Sequence, residues 1–163
     1  MYRIMLLDDD HANLSAMQEV LEEEEFGCVE VYADPGEALR RASECAFDVV
    51  IAECRLEGQG EMEFIRQFKV LQRQAALIIV TAVRDAEVLF DAVNSSGVMR
   101  VIGKPWSCDS LCEAVAQALI RRDYSTRLAR MQDLVMDQQR VIERQADILL
   151  RLEMAHPGIT STA

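Results

Sequence analysis

Glycine and proline are scarce in this chain, seven and three among 163 residues, and no apolar stretch exceeds the nine residues Ala75 to Val83, Thr81 included. The first scarcity excludes a collagen-like or low-complexity chain, and the second excludes a membrane-spanning helix, which needs about 20 apolar residues. Histidine is limited to His11 and His156, so the five cysteines find no partners at four-ligand zinc spacing. The N-terminus runs from Met-Tyr-Arg-Ile-Met-Leu-Leu into Asp8-Asp9-Asp10, without the apolar core or small-residue cleavage site of a signal peptide. A cytoplasmic chain with reduced thiols is expected. Basic residues are outnumbered 17 to 28, giving a net charge of -11. Such a surface repels phosphate backbones, so no direct contact with nucleic acid is expected.

What is present is alternation. Half of the residues are hydrophobic, enough for a core, and up to about Arg122 short apolar runs alternate with amphipathic stretches. Ile4 to Leu7, Cys28 to Tyr32, Asp48 to Ala52, Leu77 to Val80 and Met99 to Ile102 read as strands. His11 to Glu25 reads as a helix with Leu14, Met17 and Leu21 on one face, and Pro35 to Cys45 as a second that Asp34 caps. Met62, Ile65, Phe68 and Leu71 mark a third helix, after a loop with Gly58 and Gly60, and Val88, Leu89 and Val93 a fourth. A fifth starts near Ser107, with Ser107 or Asp109 at its N-terminus. Five strands alternating with five helices predict an α/β fold with a parallel sheet covered on both faces. Right-handed crossovers make it a doubly wound three-layer sandwich.

Beyond Arg122 no glycine or proline interrupts until Pro157, and apolar pairs recur every seven residues at Leu134-Val135, Val141-Ile142 and Ile148-Leu149. Leu128, Met131 and Leu152 extend the stripe, while Gln138 and Gln145 weaken it and fix its register. Arginines and acids between Asp123 and Glu153 nearly cancel, so most of the negative charge lies in the first 122 residues. An unbroken helix over 107–154 would be roughly 70 Å long, beyond the surface of one domain. Its apolar stripe predicts a coiled-coil homodimer. The expected organisation is a domain over 1–122, a helical extension over 123–155 and a disordered tail over 156–163.

In an open parallel sheet, ligands bind at the carboxyl ends of the strands. The first strand ends in Asp8-Asp9-Asp10, the third in Glu53, the fourth in Thr81 and the fifth in Lys104-Pro105. Clustered carboxylates suit a hard divalent cation such as magnesium, and an opposing lysine can balance charge or grip a phosphoryl oxygen. The acidic, glycine-free loop after the first strand argues against the alternative of a flavodoxin-like flavin or nucleotide binder. No nucleophile or substrate cleft supports acid/base catalysis.

Leu-Leu-Asp8-Asp9, Phe47-Asp48-Val-Val-Ile-Ala-Glu53, Val80-Thr81-Ala82 and Lys104-Pro105-Trp106 together resemble the receiver domain of bacterial two-component response regulators, over about residues 1–122. The segment from Val93-Asn94 to Trp106 is similar to a subgroup often joined through helical linkers to output domains. The resemblance implies a flavodoxin-like sheet of strand order 2-1-3-4-5 and a signalling module rather than an enzyme. It implies magnesium, weakly held, with Asp9 as direct ligand, Asp8 acting through water, and Glu53 and the Arg55 carbonyl completing the set. Thr81, with Ala82 beside it, and Lys104 would hold the phosphoryl group. A sensor histidine kinase and an output domain or protein are the implied partners.

Three departures shape the expected function. The family's phosphoacceptor is an aspartate, and Glu53 stands there; one methylene displaces the carboxylate by over ~1 Å, which in-line phosphoryl transfer does not tolerate. Glu53 is expected to mimic the phosphorylated state in part, with about one negative charge against a phosphoryl group's two. Glu57-Gly58-Gln59-Gly60 replaces the family's proline and Asp-Gly turn, and Val101 stands at the aromatic switch position, three residues before the lysine. Cys54 is expected at the rim of the site. The rival expectation is an ordinary magnesium-dependent receiver, phosphorylated on Glu53 or a neighbouring acid, in a larger regulator. In the preferred reading the fourth helix, fifth strand and last helix form the signalling face.

Overall fold

A computed structural model of the chain describes residues 1–56, 62–82, 94 and 97–158. The elements run β1 (Arg3–Leu7), α1 (His11–Glu23), β2 (Cys28–Tyr32), α2 (Pro35–Glu44), β3 (Val49–Ala52), α3 (Glu63–Leu71), β4 (Ala76–Thr81), β5 (Val98–Gly103) and α4 (Cys108–Ala155). The five strands form one parallel sheet in the order β2-β1-β3-β4-β5. The flavodoxin-like fold is therefore the one expected. The helix anticipated around Val88, Leu89 and Val93, the Glu57–Gly60 loop and the end of the expected tail, residues 159–163, lie outside the described residues.

The chain divides into two units, Met1–Asp123 and Tyr124–Ala163. In the first, the period-two geometry of the strands builds two cores on opposite faces. Met5, Leu7, Val50, Ala52, Leu77 and Ile79 face one way, onto Ala38 and Ala42 of α2 and Phe64, Ile65 and Phe68 of α3. Ile4, Leu6, Val49, Ile51, Ile78 and Val80 face the other, onto Leu14, Met17 and Leu21 of α1 and Leu111, Ala114, Val115 and Ala118 of α4. Strands covered on both sides are apolar on both faces, which is why residues 4–7 of β1, Val49–Ala52 of β3 and residues 76–80 of β4 are uninterrupted runs rather than alternating ones.

Caps set where the helices begin. The Asp10 carboxylate accepts from the N–H groups of Ala12 and Asn13 at 2.9 and 3.2 Å. Asp34 accepts from Glu37 N–H at 2.8 Å, with Pro35 in the first turn. Ser107 Oγ accepts from Ser110 N–H at 3.2 Å at the head of α4. Asp10→Ala removes the oxygen that accepts both hydrogen bonds at the α1 N-terminus and is expected to lower stability by about 1 kcal/mol, measured by urea unfolding.

Boundaries differ from the sequence pattern by one or two residues. β4 and β5 extend to Thr81 and Gly103 because those residues pair with one another in register. α1 stops at Glu23, two residues early, because Glu25 takes a left-handed backbone (φ 53°) and Phe26 N–H turns back to the Leu21 carbonyl. Gly27 follows, where an added Cβ would overlap the carbonyl oxygen of Tyr2.

In the second unit α4 continues over Tyr124–Ala155. Leu128, Met131, Leu134, Val135, Val141, Ile142, Ile148, Leu149 and Leu152 are all exposed on it. No helix among the described residues is long and apolar enough to cross a membrane.

Candidate functional site

Every strand of a parallel sheet ends at the same edge, so the residues following β1, β3, β4 and β5 are brought together whatever their separation in sequence. Among the described residues only three polar or charged side chains are buried: Asp8 (0% exposed), Glu53 (6%) and Thr81 (1%). All three lie at this edge. Burying carboxylates is costly unless they are paired and hydrogen-bonded, and here they are. Lys104 extends its ammonium to Asp8 Oδ2 at 2.6 Å, across 96 residues of sequence, and to Glu53 Oε2 at 3.0 Å.

Asp8 and Glu53 have further donors. Asp8 Oδ1 accepts from Asp10 N–H at 2.9 Å, and Oδ2 also accepts from Asn13 Nδ2 at 2.6 Å. Glu53 Oε1 accepts from the N–H groups of Cys54 and Arg55 at 2.8 and 3.2 Å, and from the Thr81 hydroxyl. The Glu53 side chain thus folds back on the turn that follows it. Burial alone would lower the Lys104 pKa, but hydrogen bonds to Asp8 and Glu53, with their charges, leave it raised above its ordinary value.

The three successive aspartates, of which Asp8 and Asp9 were expected at the metal site, take distinct positions. Asp8 is buried in the pocket, Asp9 is exposed, and Asp10 caps α1. Ala82 is exposed beside Thr81, and Val101 is half-buried against the α2/α3 core. Cys54 corrects the expectation that it lines the rim: it is buried, and its thiol donates to Thr81 Oγ1 at 3.3 Å. Cys54 belongs to the same core cluster as Leu56 and Met62.

Two residues escaped the sequence reading. Trp106 Nε1 donates to Asn13 Oδ1 at 2.5 Å, and Asn13 in turn donates to Asp8. This chain of bonds joins the pocket to the segment just before α4. Trp106 stood within the Lys104-Pro105-Trp106 motif, but nothing in the sequence ties it to Asn13, 93 residues away. Asp10, Asn13, Lys104, Pro105 and Trp106 line an open cavity of about 450 Å³ beside the buried carboxylates.

The family model of the response regulator receiver domain matches residues 4–116. The chain belongs to this family. Receiver domains are signalling modules of two-component response regulators and generally bind magnesium at their phosphorylation site. The receiver similarity extends to the alginate biosynthesis transcriptional regulatory protein AlgB of Pseudomonas aeruginosa, 30% identical over 83% of this chain and 30% of that protein. The hydrogenase transcriptional regulatory protein HoxA of Cupriavidus necator is 26% identical over 71% of this chain and 24% of its own length. The chain spans about a quarter to three tenths of these relatives. Among solved structures, a CheY-like receiver domain from Methanospirillum hungatei superposes with a TM-score of 0.72 at 26% identity, over 77% of this chain and 98% of that one.

Against this receiver background the donor set fits a divalent ion poorly. Two carboxylates offer about eight lone-pair sites, and seven donor contacts already fall on Asp8 and Glu53. Among the described residues no group of three His, Cys, Asp or Glu side chains is arranged to hold a metal ion.

Proposed function

We propose that this receiver works without phosphorylation and signals through homodimerisation of its C-terminal helix. The observation that carries the reading is the set of partners around Glu53: the Thr81 hydroxyl, the Lys104 ammonium and two backbone N–H groups. These are the donors that the resemblance assigns, in part, to a phosphoryl group, and a permanent carboxylate already engages them. Glu53 then serves as a fixed negative charge, weaker than a phosphoryl group because it carries about one charge against two and fewer acceptor oxygens. Val101, in place of an aromatic, removes the side chain whose inward movement would report a change. The pocket state passes instead to α4, and the exposed stripe from Leu128 to Leu152 pairs with that of a second copy.

An output domain or protein is the receiver of the signal in this reading. Its support is that AlgB and HoxA carry receiver-like segments in transcriptional regulators several times longer. The test is intact-protein mass after incubation with magnesium and acetyl phosphate. No phosphate mass is expected on the parent chain; stoichiometric addition at Glu53 or a neighbouring acid would establish the rival reading of an ordinary phosphorylatable receiver.

A further inference from the structure

We propose that the Lys104 ammonium is the resident cation of this pocket, holding Asp8 and Glu53 together where a divalent ion would otherwise sit, so that the site is complete without magnesium. The proposal deepens the reading of Glu53 as a fixed charge and concerns the same pocket.

Three observations converge on it. First, the ammonium bridges the two buried carboxylates, at 2.6 Å to Asp8 Oδ2 and 3.0 Å to Glu53 Oε2. Lys104 is itself only 19% exposed, and the cation is anchored to β5 by its own chain. Second, the remaining oxygens are turned towards N–H and O–H groups. Asp8 Oδ1 faces Asp10 N–H, and Glu53 Oε1 faces two backbone N–H groups and the Thr81 hydroxyl. Magnesium demands near-octahedral oxygen ligands at about 2.0–2.1 Å, and hydrogen-bond donors aimed at the same lone pairs must leave before it enters. Third, the Glu53 carboxylate doubles back onto the N–H groups of Cys54 and Arg55. That geometry turns Oε1 onto its own backbone while Oε2 meets the Lys104 ammonium.

Removing the ammonium reverses the situation. Two buried carboxylates then lack a counter-charge, and a free cation becomes the remedy. Trp106 is the only tryptophan and lies two hydrogen bonds from Asp8, through Asn13, so its fluorescence reports on the pocket.

The test is a titration of the full chain with magnesium chloride through the millimolar range, read by Trp106 fluorescence and by Tm. In the parent neither signal is expected to shift. Lys104→Met is expected to show a saturable fluorescence change and a rise in Tm with magnesium. Lys104→Gln, which keeps an N–H donor on a polar stem but removes the charge, is expected to gain a saturable response as well, and it decides the matter if Lys104→Met fails to fold. A saturable response in the parent, or folded variants that stay silent, overturns the proposal. Phosphate gain by the parent would instead defeat the phosphorylation-independent reading; a magnesium response without phosphate gain defeats the resident-cation proposal alone.

Discussion

A chain carrying Ile142→Asp and Leu149→Asp is expected to elute in light scattering at its chain mass of 18.4 kDa, half the mass of the parent. Both residues are exposed on α4, one heptad apart, in the middle of a stripe that includes Val135, Val141, Ile148 and Leu152. Fully burying one aliphatic side chain of this size contributes about 1.5–3 kcal/mol, and each substitution acts twice in a symmetric pair. Placing four carboxylates in one seam adds desolvation and like-charge repulsion to the lost burial. The same variant is expected to lose helical circular dichroism, because a long helix with an unpaired apolar stripe depends on its partner more than on propensity. Changes on the polar side, such as Arg140→Ala beside Asp137, leave the mass unchanged, since that pair is exposed and i,i+3 and exposed pairs contribute little. A parent chain that is monomeric at micromolar concentration would refute the proposed pairing.

Lys104→Met is expected to lower stability at neutral pH by about 3 kcal/mol, the lower end of what breaking a buried ion pair costs. The loss arises from the partners left behind. Asp8 and Glu53 keep their burial and lose their shared counter-charge. The pH dependence follows from the direction of the Lys104 shift. Its pKa is raised in the folded chain above the ordinary 10.5, so its contribution is fully present below pH 10.5 and is lost as pH rises through the folded value. Tyr32 is also pushed up, to about 12, first by burial and then by its bond to Glu30, and it too costs stability at alkaline pH. The comparison must therefore be a difference: urea unfolding of parent and variant should converge above pH 10.5. A constant gap up to the alkaline limit would show that Lys104 acts by packing alone.

The strands and their order of appearance were legible in the sequence because a strand buried on both faces leaves an uninterrupted apolar run, as in Ile4 to Leu7 and Leu77 to Val80. Helix starts were legible where a capping side chain precedes them, as at Asp34-Pro35 and Ser107. The polar residues at the strand ends were legible because a parallel sheet sends all its carboxyl ends to one edge. The division of labour within Asp8-Asp9-Asp10 was not. Three identical side chains in a row carry no mark of which will be buried, which exposed and which will cap a helix. Nor did the sequence distinguish a rim cysteine from a buried one at Cys54.

The amino-acid pattern by itself determined a doubly wound parallel sandwich, a pocket at its carboxyl edge, and a glutamate where the receiver family has an aspartate, since burial and chain direction are written in composition and spacing. Only the tertiary structure decided which donors reach which oxygens. It gave Lys104 to both Asp8 and Glu53, turned Glu53 back onto its own backbone, and joined Trp106 to Asn13. Those choices depend on distances of tenths of an ångström between residues up to 96 apart, and a hydrogen bond weakens steeply with misalignment, so no one-dimensional pattern can encode them.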